Sequence, residues 1–475
     1  MIIDSNKNIQ VKNICCIGAG YVGGPTMTII ASYCPSIKVN VVDINADRVN
    51  QWNGDTNNLP IYEPGLSNIV SKVRNKNLFF STDLINGIKN ADMIFISVNT
   101  PIKEKGLGAG QASDLTWVES SAREIAKYAE GHTIVVEKST LPVKTAEIIK
   151  SILTSAEDNF SNNNSLKTFS VLSNPEFLAE GTAVENLKYP DRVLIGGEDE
   201  AAINSLIEIY LNWVPKEKIY TTNLWSSELS KLIANAFLAQ RISSINSVSA
   251  ICEFTGANVE EVANAVGSDS RIGNKFLSSG PGFGGSCFKK DILNLVYICR
   301  SLGLEEVAAY WECILNINDW QQDRIYKIIL KKLYGNLVNK RIVILGFSFK
   351  ANTNDVRNSP SIEICKKLIN EGAKLVVNDL KVSEKSIYNS FSNYFEKNMI
   401  SDYVIFEKDL NKASKNADAI VILTDWEEYK NLNWYSLYEK MRKPAWIFDT
   451  RSVINLEKIK NKEINIWQLG NGESV

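Results

Sequence analysis

Asn13-Ile14-Cys15-Cys16-Ile17-Gly18-Ala19-Gly20-Tyr21-Val22-Gly23 decides how the first part of this chain folds. The apolar run to Ile17 reads as a short buried strand, and a helical pattern follows Gly23. Between them lies G-x-G-x-x-G, weak as a lone pattern but informative between a strand and a helix. A second strand, Val39 to Val42, ends in Asp43 at the spacing that a dinucleotide site requires. In such a site Gly18 permits the tight turn, Gly20 lets backbone approach a pyrophosphate, and Gly23 allows close helix packing. The helix N-terminus offers amide donors to the phosphates. Asp43 would accept from the ribose hydroxyls and repel a 2′-phosphate, which favours NAD over NADP. Arg48 pulls the other way if it meets a 2′-phosphate; stacking beside the adenosine is the preferred reading.

Working outward, Met93 to Val98, Thr133 to Val136, Phe169 to Leu172 and Val193 to Gly196 read as further buried strands between helical segments. This alternation predicts a doubly wound parallel sheet, with some antiparallel pairing at its end. Asp158 to Ser165, rich in Asn and Ser, reads as a surface loop. From Ser226 to about Tyr334 strand signals vanish; Glu228 to Phe254 and Val307 to Tyr334 predict long helices, interrupted by glycines at 280 to 287. Strands return at Arg341 to Gly346, Lys374 to Val377 (before Asp379), Ala419 to Leu423 and Trp446 to Phe448. The expected fold class is α/β: two Rossmann-like doubly wound domains, 1–223 and 335–475, joined by an all-α central domain, 224–334, with a long helix.

Composition narrows the chemistry. At 475 residues the chain has room for about three domains. Its 44% apolar and 22% charged content is that of a globular protein, and the net charge of -2 advertises no nucleic-acid surface. Met1 to Asn13 is polar, without the apolar core of a signal peptide, and no apolar run reaches membrane-spanning length. The eight cysteines lack CxxC spacing, which fits a reducing, cytoplasmic setting and argues against disulfides or zinc. His132 is the single histidine, so a Ser-His-Asp hydrolase or a His-liganded metal enzyme would depend on it alone. It is expected in the turn before a strand. No metal is expected, and Cys, Lys, Asp, Glu and Thr must carry the chemistry.

Gly282-Phe283-Gly284-Gly285-Ser286-Cys287-Phe288-Lys289-Lys290-Asp291 supplies those types in one run. Glycines let backbone approach a ligand closely, and lysine charge favours the thiolate that attacks carbonyl carbon. A buried turn cysteine is the bland reading; the flanking chemistry and the nucleotide signature favour a nucleophile.

Together these residues resemble one family, the UDP-glucose/GDP-mannose dehydrogenases, and within it the UDP-glucose 6-dehydrogenases. The resemblance runs through GAGYVGGP at 18–25, VNTP at 98–101, EKSTLPV at 137–143, SNPEFLAEG at 173–181, WSSELSKLIANAF at 225–237, GFGGSCFKKD at 282–291 and GFSFKANTNDVRNSP at 346–360. It implies oxidation of UDP-glucose to UDP-glucuronate by four electrons, through a Cys287 thiohemiacetal and thioester. Lys231 would stabilise oxyanion charge, Asn235 would bind the sugar, and Asp291 would move a proton or hold water with Lys231. Thr140 and Glu176 would serve thioester hydrolysis. The cofactor would meet Gly18, Gly20, Val22, Gly23, Asp43 and Arg48, then Thr100, Ser139, Thr140, Glu180, Lys290 and, across a cleft, Arg357. The sugar nucleotide would meet Glu176, Phe177, Leu178, Lys231 and Asn235, then Phe276, Phe283, Gly284, Phe349, Lys350 and Arg451, with Arg271 reaching in from a neighbouring subunit.

Two departures stand out. Thr450 replaces a glycine common before the final arginine, and threonine does not adopt positive φ cheaply, which leaves the placement of Arg451 open. Ala351 stands where a second lysine is frequent. Rival readings are a dehydrogenase of UDP-N-acetylmannosamine or GDP-mannose, a one-hydride hydroxyacid dehydrogenase, and an inactive nucleotide-sugar-binding protein. A short-chain epimerase would need Tyr-x-x-x-Lys, which is absent. The apolar central helices predict a homodimer, and the glycine-rich loop Glu104 to Asp114, long as in animal and plant members, favours association of such dimers into a hexamer.

Overall fold

The computed structural model describes residues 9–140, 142–159, 167–459 and 463–472. Its chain divides into two compact units, one running to Ala234 with Leu293–Leu302 added, the other made of Asn235–Ile292 and the residues from Gly303 onward.

The first unit holds eight strands: β1 (Asn13–Ile17), β2 (Lys38–Val42), β3 (Leu78–Ser81), β4 (Met93–Ile96), β5 (His132–Glu137), β6 (Thr168–Ser173), β7 (Val193–Gly196) and β8 (Ile219–Thr222). They lie in the order β3-β2-β1-β4-β5-β6-β7-β8. Pairing is parallel except where β7 meets β6 antiparallel through Ser173 and Gly196. Along β1, Ile14 and Cys16 enter one apolar cluster while Cys15 and Ile17 enter the other. A sheet covered on both faces therefore shows near-continuous apolar strands rather than alternation. The chain reverses sheet direction between β1 and β4, the topological switch point where doubly wound sheets bind ligands.

The second unit repeats the plan with β9 (Arg341–Leu345), β10 (Lys374–Asn378), β11 (Val404–Phe406), β12 (Ala419–Ile422), β13 (Trp446–Asp449) and β14 (Ile466–Gln468). All pair parallel, in the order β11-β10-β9-β12-β13-β14. Residues alternate here too: Ile342 and Ile344 face one cluster, Val343 and Leu345 the other.

Between the two sheets in sequence, the regular elements are helices: Leu224–Thr255, Val259–Gly267, Phe288–Ser301 and Glu305–Lys332. Within the second unit these helices are tied to the sheet by specific bonds. Gly470 N donates to Glu253 at 2.8 Å and Tyr326 Oη to Glu371 at 2.7 Å; Lys367 pairs with Asp323 at 2.7 Å.

The two α/β folds and the helical middle are as expected, with differences in detail. Four strands, β3, β8, β11 and β14, each of only three or four residues, were not anticipated. His132 is the first residue of β5 rather than part of a preceding turn, and its Nδ1 lies 2.8 Å from Thr168 Oγ1. Asp158 and Asn159 close the helix Thr145–Asn159, and 160–165, expected as loop, lie outside the described residues.

Candidate active site

Each glycine of the first turn has a separate physical reason. Gly18 has φ +108°, and a Cβ there would fall 2.3 Å from the Ser97 carbonyl oxygen. One on Gly23 would fall 2.0 Å from the Gly18 oxygen, so this glycine lets the helix Gly23–Tyr33 start directly over the turn. Gly20 is different: its φ is ordinary and no atom lies within 4 Å of the missing Cβ. The fold does not need that glycine, whereas a ligand lying against the backbone would. Val22 is the N-cap and contributes no side-chain bond to the helix.

Asp43 is held at the end of β2. Its Oδ2 accepts from Ala19 N at 2.8 Å and pairs with Arg48 at 3.0 Å, while Oδ1 accepts from Asn45 N at 2.9 Å. Arg48 is thus engaged by the Asp43 carboxylate. At the ends of β4 and β5, Thr100 Oγ1 donates to the Thr140 carbonyl at 3.1 Å and Ser139 Oγ to that of Val98 at 2.8 Å. The structure brings Thr100, Ser139 and Thr140 together.

Glu176 is more constrained than a turn residue need be. Oε1 accepts from Phe177 N at 2.8 Å and Leu178 N at 3.1 Å; Oε2 meets Lys138 Nζ at 3.0 Å and Thr26 Oγ1 at 3.4 Å. Lys138, absent from the expected site, is buried and also bonds Asn174 at 2.9 Å and Tyr210 at 3.2 Å. Burial alone would lower its pKa, but Glu176 and Tyr210 more than offset that and hold it above the ordinary lysine value. Nothing in the local sequence marks Lys138, because its partners lie far along the chain. Beyond Glu176, Gly181 N and Ala183 N both donate to the buried Glu63, at 2.7 and 3.0 Å, fixing the segment that carries the half-buried Glu180. The Arg192 guanidinium lies 3.9 Å from the Phe177 ring centroid and Lys231 Nζ lies 5.2 Å from it. Lys231 is 6% exposed, which rules out the reading of a solvated helix lysine.

In the second unit the glycine-rich run is fixed from several sides. Gly282 has φ +122°, Phe283 N donates to Asn318 Oδ1 at 2.7 Å, and Gln321 holds the Gly280 carbonyl at 2.9 Å. A Cβ on Gly284 would strike the Asn358 carbonyl oxygen at 2.5 Å, and Gly285 packs on the Phe349 ring. This run delivers Cys287, half-buried, to the start of the helix Phe288–Ser301, where its carbonyl accepts from Asp291 N at 2.8 Å. The positive end of that helix favours developing negative charge beside the sulfur. One turn along, buried Asp291 accepts from Asn235 Nδ2 at 2.6 Å, and Lys290 Nζ lies 3.7 Å from its other oxygen.

Arg451 is fixed although Thr450 replaces glycine. Thr450 is absent from the positive-φ residues; the left-handed position is Ser452, φ 49°. Thr450 Oγ1 donates to the Ile422 carbonyl at 2.6 Å, and Arg451 Nε to that of Leu423 at 3.0 Å. Burial lowers the Arg451 pKa from its ordinary value. Lys350 Nζ sits 5.6 Å from the Phe349 ring centroid, and Arg357 grips Asp355 through Nε at 2.9 Å and Nη2 at 2.7 Å. Arg271 is paired with Asp269 and highly exposed; Phe276 takes φ 62°. Arg241, not anticipated, holds their loop by donating to the carbonyls of Ile272, Gly273 and Lys275 at 2.9, 2.6 and 2.8 Å.

Models of the UDP-glucose/GDP-mannose dehydrogenase family match as NAD binding domain over residues 12–214, central domain over 225–320 and UDP binding domain over 343–456. The chain is 52% identical to UDP-glucose 6-dehydrogenase 3 of Arabidopsis thaliana, over 96% of each. It is 54% identical to UDP-glucose 6-dehydrogenase of Gallus gallus, over 94% of this chain and 90% of that one. Among solved structures, a UDP-glucose dehydrogenase from Pyrobaculum islandicum matches with TM-score 0.82 at 28% identity, covering 97% of this chain and 98% of its own. A UDP-D-ManNAc dehydrogenase from Pyrococcus horikoshii matches with TM-score 0.79 at 25% identity, covering 98% of this chain and 100% of its own.

The glycine geometry yields a separable outcome. Gly20→Ala should unfold within about 0.5 kcal/mol of wild type, as surface changes do. NAD should nevertheless bind about tenfold more weakly or worse, a loss of about 1.4 kcal/mol. Denaturation and NAD titration of the same preparation check this; unchanged NAD affinity would remove the turn from the cofactor site.

Proposed function

The chain belongs to the UDP-glucose/GDP-mannose dehydrogenase family, and from that premise we propose that it oxidises UDP-glucose to UDP-glucuronate with NAD in two hydride steps. The observation that carries the proposal is Cys287 at a helix N-terminus with Asp291 one turn on, bonded to Asn235 at 2.6 Å. Bound NAD supplies the hydride acceptor, one molecule for each step. Gly20 accommodates its pyrophosphate, and Asp43 binds the ribose hydroxyls.

Cys287 adds its sulfur to the C6 aldehyde produced by the first oxidation, forming a carbon–sulfur bond and a thiohemiacetal. That tetrahedral carbon still bears a hydrogen and releases hydride far more readily than the free aldehyde. Loss of the second hydride and a proton leaves a thioester, and water cleaves it to the carboxylic acid and the free thiol. Lys231 offsets the oxyanion charge at both tetrahedral stages, and burial strengthens that effect. Asp291 takes protons or holds water; Asn235 orients both Asp291 and the sugar. Thr140 and Glu176 serve thioester hydrolysis, Glu176 from a position fixed by Lys138 and two amides. Lys350, Arg451 and Phe349 serve the uridine nucleotide, and Lys290 and Arg357 the cofactor.

Oxidation of UDP-N-acetylmannosamine or GDP-mannose would use the same chemistry. UDP-glucose is favoured because the named UDP-glucose 6-dehydrogenases are 52–54% identical to this chain, against 25% for the UDP-D-ManNAc dehydrogenase. An inactive binding protein is disfavoured by the coexistence of Cys287, Lys231, Asn235 and Asp291. We assign the NAD-binding, central and UDP-binding domains to 1–223, 224–334 and 335–475. Eight free thiols suit a cytoplasmic setting. Among the described residues no helix is long and apolar enough to cross a membrane.

Assembly follows from the helices. Phe237, Ile251, Phe254, Tyr310 and Trp320 expose apolar surface on Leu224–Thr255 and Glu305–Lys332. A second copy would cover these residues, giving a dimer in which Arg271 completes the neighbour's sugar site. The loop 104–114, closed by Lys103 N to the Ala112 carbonyl at 2.7 Å, favours association of such dimers into a hexamer.

Offered the three sugar nucleotides side by side, the enzyme should reduce NAD fastest with UDP-glucose. Cys287→Ser should bind NAD and UDP-glucose, lose most turnover, and accumulate a sugar ester on residue 287 visible by mass spectrometry. Unchanged turnover would exclude a covalent thiol. Mixing Arg271→Ala with Cys287→Ala subunits should recover activity, because one site of each mixed dimer carries neither defect. No recovery in confirmed mixed dimers would mean that Arg271 serves its own subunit.

A further inference from the structure

Two glutamates are buried against each other in the first unit. Glu137 is the last residue of β5 and is 2% exposed; Glu228 lies on the helix Leu224–Thr255 and is 3% exposed. Both Glu228 oxygens are taken: Oε2 accepts from Lys144 N at 2.7 Å and Oε1 from Ala146 N at 2.8 Å. These amides belong to the turn into the helix Thr145–Asn159, so Glu228 caps that helix from a different helix. Glu137 hydrogen-bonds the Glu228 carboxyl, and its Oε2 meets no partner.

Two carboxylates cannot bond each other without a proton. Glu228, acceptor to two amides, is the anion; Glu137, buried and with no amide donor on Oε2, is the acid. Burial first, then the Glu228 charge and the bond to it, push the Glu137 carboxyl well above the usual range. Burial also raises Glu228, opposed by the amides of Ala146 and Lys144 and by Glu137 itself. Of the surrounding groups, Glu147 adds negative charge, while Ile96 and Ser173, the sheet neighbours of Glu137, carry none. The Lys144 ammonium lies over Trp225 and that of Lys138 on Glu176.

We propose that Glu137 is a positioning residue, kept as a neutral acid whose proton clamps the end of β5 and the turn at 144–146 to the helix carrying Lys231. Between the clamped points lie Ser139 and Thr140, and Lys231 stands three residues beyond Glu228 on the same helix face. The clamp therefore sets the register of Thr140 and Lys231. Its catalytic consequence rests on the function proposed above; its proton does not.

Three readings of Glu137→Gln and Glu137→Leu test the clamp. The amide of Gln donates the same bond at every pH, whereas Leu fills the space without it. An acid whose pKa is raised by folding contributes fully below its unfolded value of about 4.3, and that contribution falls as pH rises toward the folded value. The stability of Glu137→Gln relative to wild type should therefore grow as pH is raised from about 4.3 to neutrality. A difference independent of pH would show that Glu137 is ionised in the fold and overturn the proposal. By hydrogen exchange, the amides of Lys144 and Ala146 should stay protected in Glu137→Gln and exchange about tenfold faster or more in Glu137→Leu. Equal protection would overturn the clamp. With UDP-glucose, Glu137→Gln should keep kcat within about threefold, and Glu137→Leu should lose about tenfold or more, as misplaced catalytic groups do. If Glu137→Leu does not fold, Glu228→Gln, which replaces one acceptor oxygen with a donor, must give the faster exchange. Inactive wild type with the pH and exchange results as expected would contradict the assigned reaction and leave the clamp standing.

Discussion

Two carbonyl oxygens stand where side chains would otherwise begin: that of Ser97 at 2.3 Å from a Cβ on Gly18, and that of Gly18 at 2.0 Å from one on Gly23. This contact draws β1, the end of β4 and the first helix onto one point, and much of the first unit is organised from it. Gly18 N donates to the Val42 carbonyl and Ala19 N to Asp43, which seats the second-strand carboxylate beside the turn. Beyond Ser97, Val98 and Thr100 bond Ser139 and Thr140. The latter begin the segment that Glu228 holds to the helix of Lys231. Bonds thus tie the glycine turn to Ser139 and Thr140, and the buried carboxyl pair ties the turn at 144–146 to the helix that carries Lys231.

The second unit uses the same device with a different result. Gly346, φ +87°, meets Thr424 with a would-be Cβ at 2.3 Å; its N donates to the Asn378 carbonyl, and Phe347 N donates to Asp379 at 2.7 Å. These are the counterparts of Gly18, Val42, Ala19 and Asp43. Here, however, Ser348 follows and bonds Asp379 in turn, where the first unit has the open Gly20. The turn is filled by protein, and the neighbouring run Phe349 to Arg357 supports the glycines that carry Cys287. One strand order, 3-2-1-4-5-6, thus carries an open glycine turn in one unit and a support for the run that bears Cys287 in the other.

Local patterns were readable where their cause is local. Buried central strands appear as apolar runs, and the turn glycines mark backbone that no side chain allows. The edge strands Val404–Phe406 and Ile466–Gln468 have only three residues each, too short for a pattern. The half-buried Ile219–Thr222, part polar, was equally hidden. Thr450 is accommodated for an informative reason: the left-handed residue lies two places on, at Ser452, so threonine is unstrained and adds a bond. Lys138, Glu63, Arg241 and the Glu137–Glu228 pair were invisible because each acts on partners distant in sequence. A charged residue in a motif looks solvated until the fold shows that it is buried.

The account turns on Cys287 holding the aldehyde so that both oxidations occur before product leaves. Counting NADH formed per UDP-glucose consumed, with the solution assayed for free aldehyde, tests that most directly. The account requires two NADH per sugar and no released aldehyde. One NADH per sugar, with aldehyde in solution, would reduce Cys287 to a turn residue and the enzyme to a simple alcohol dehydrogenase.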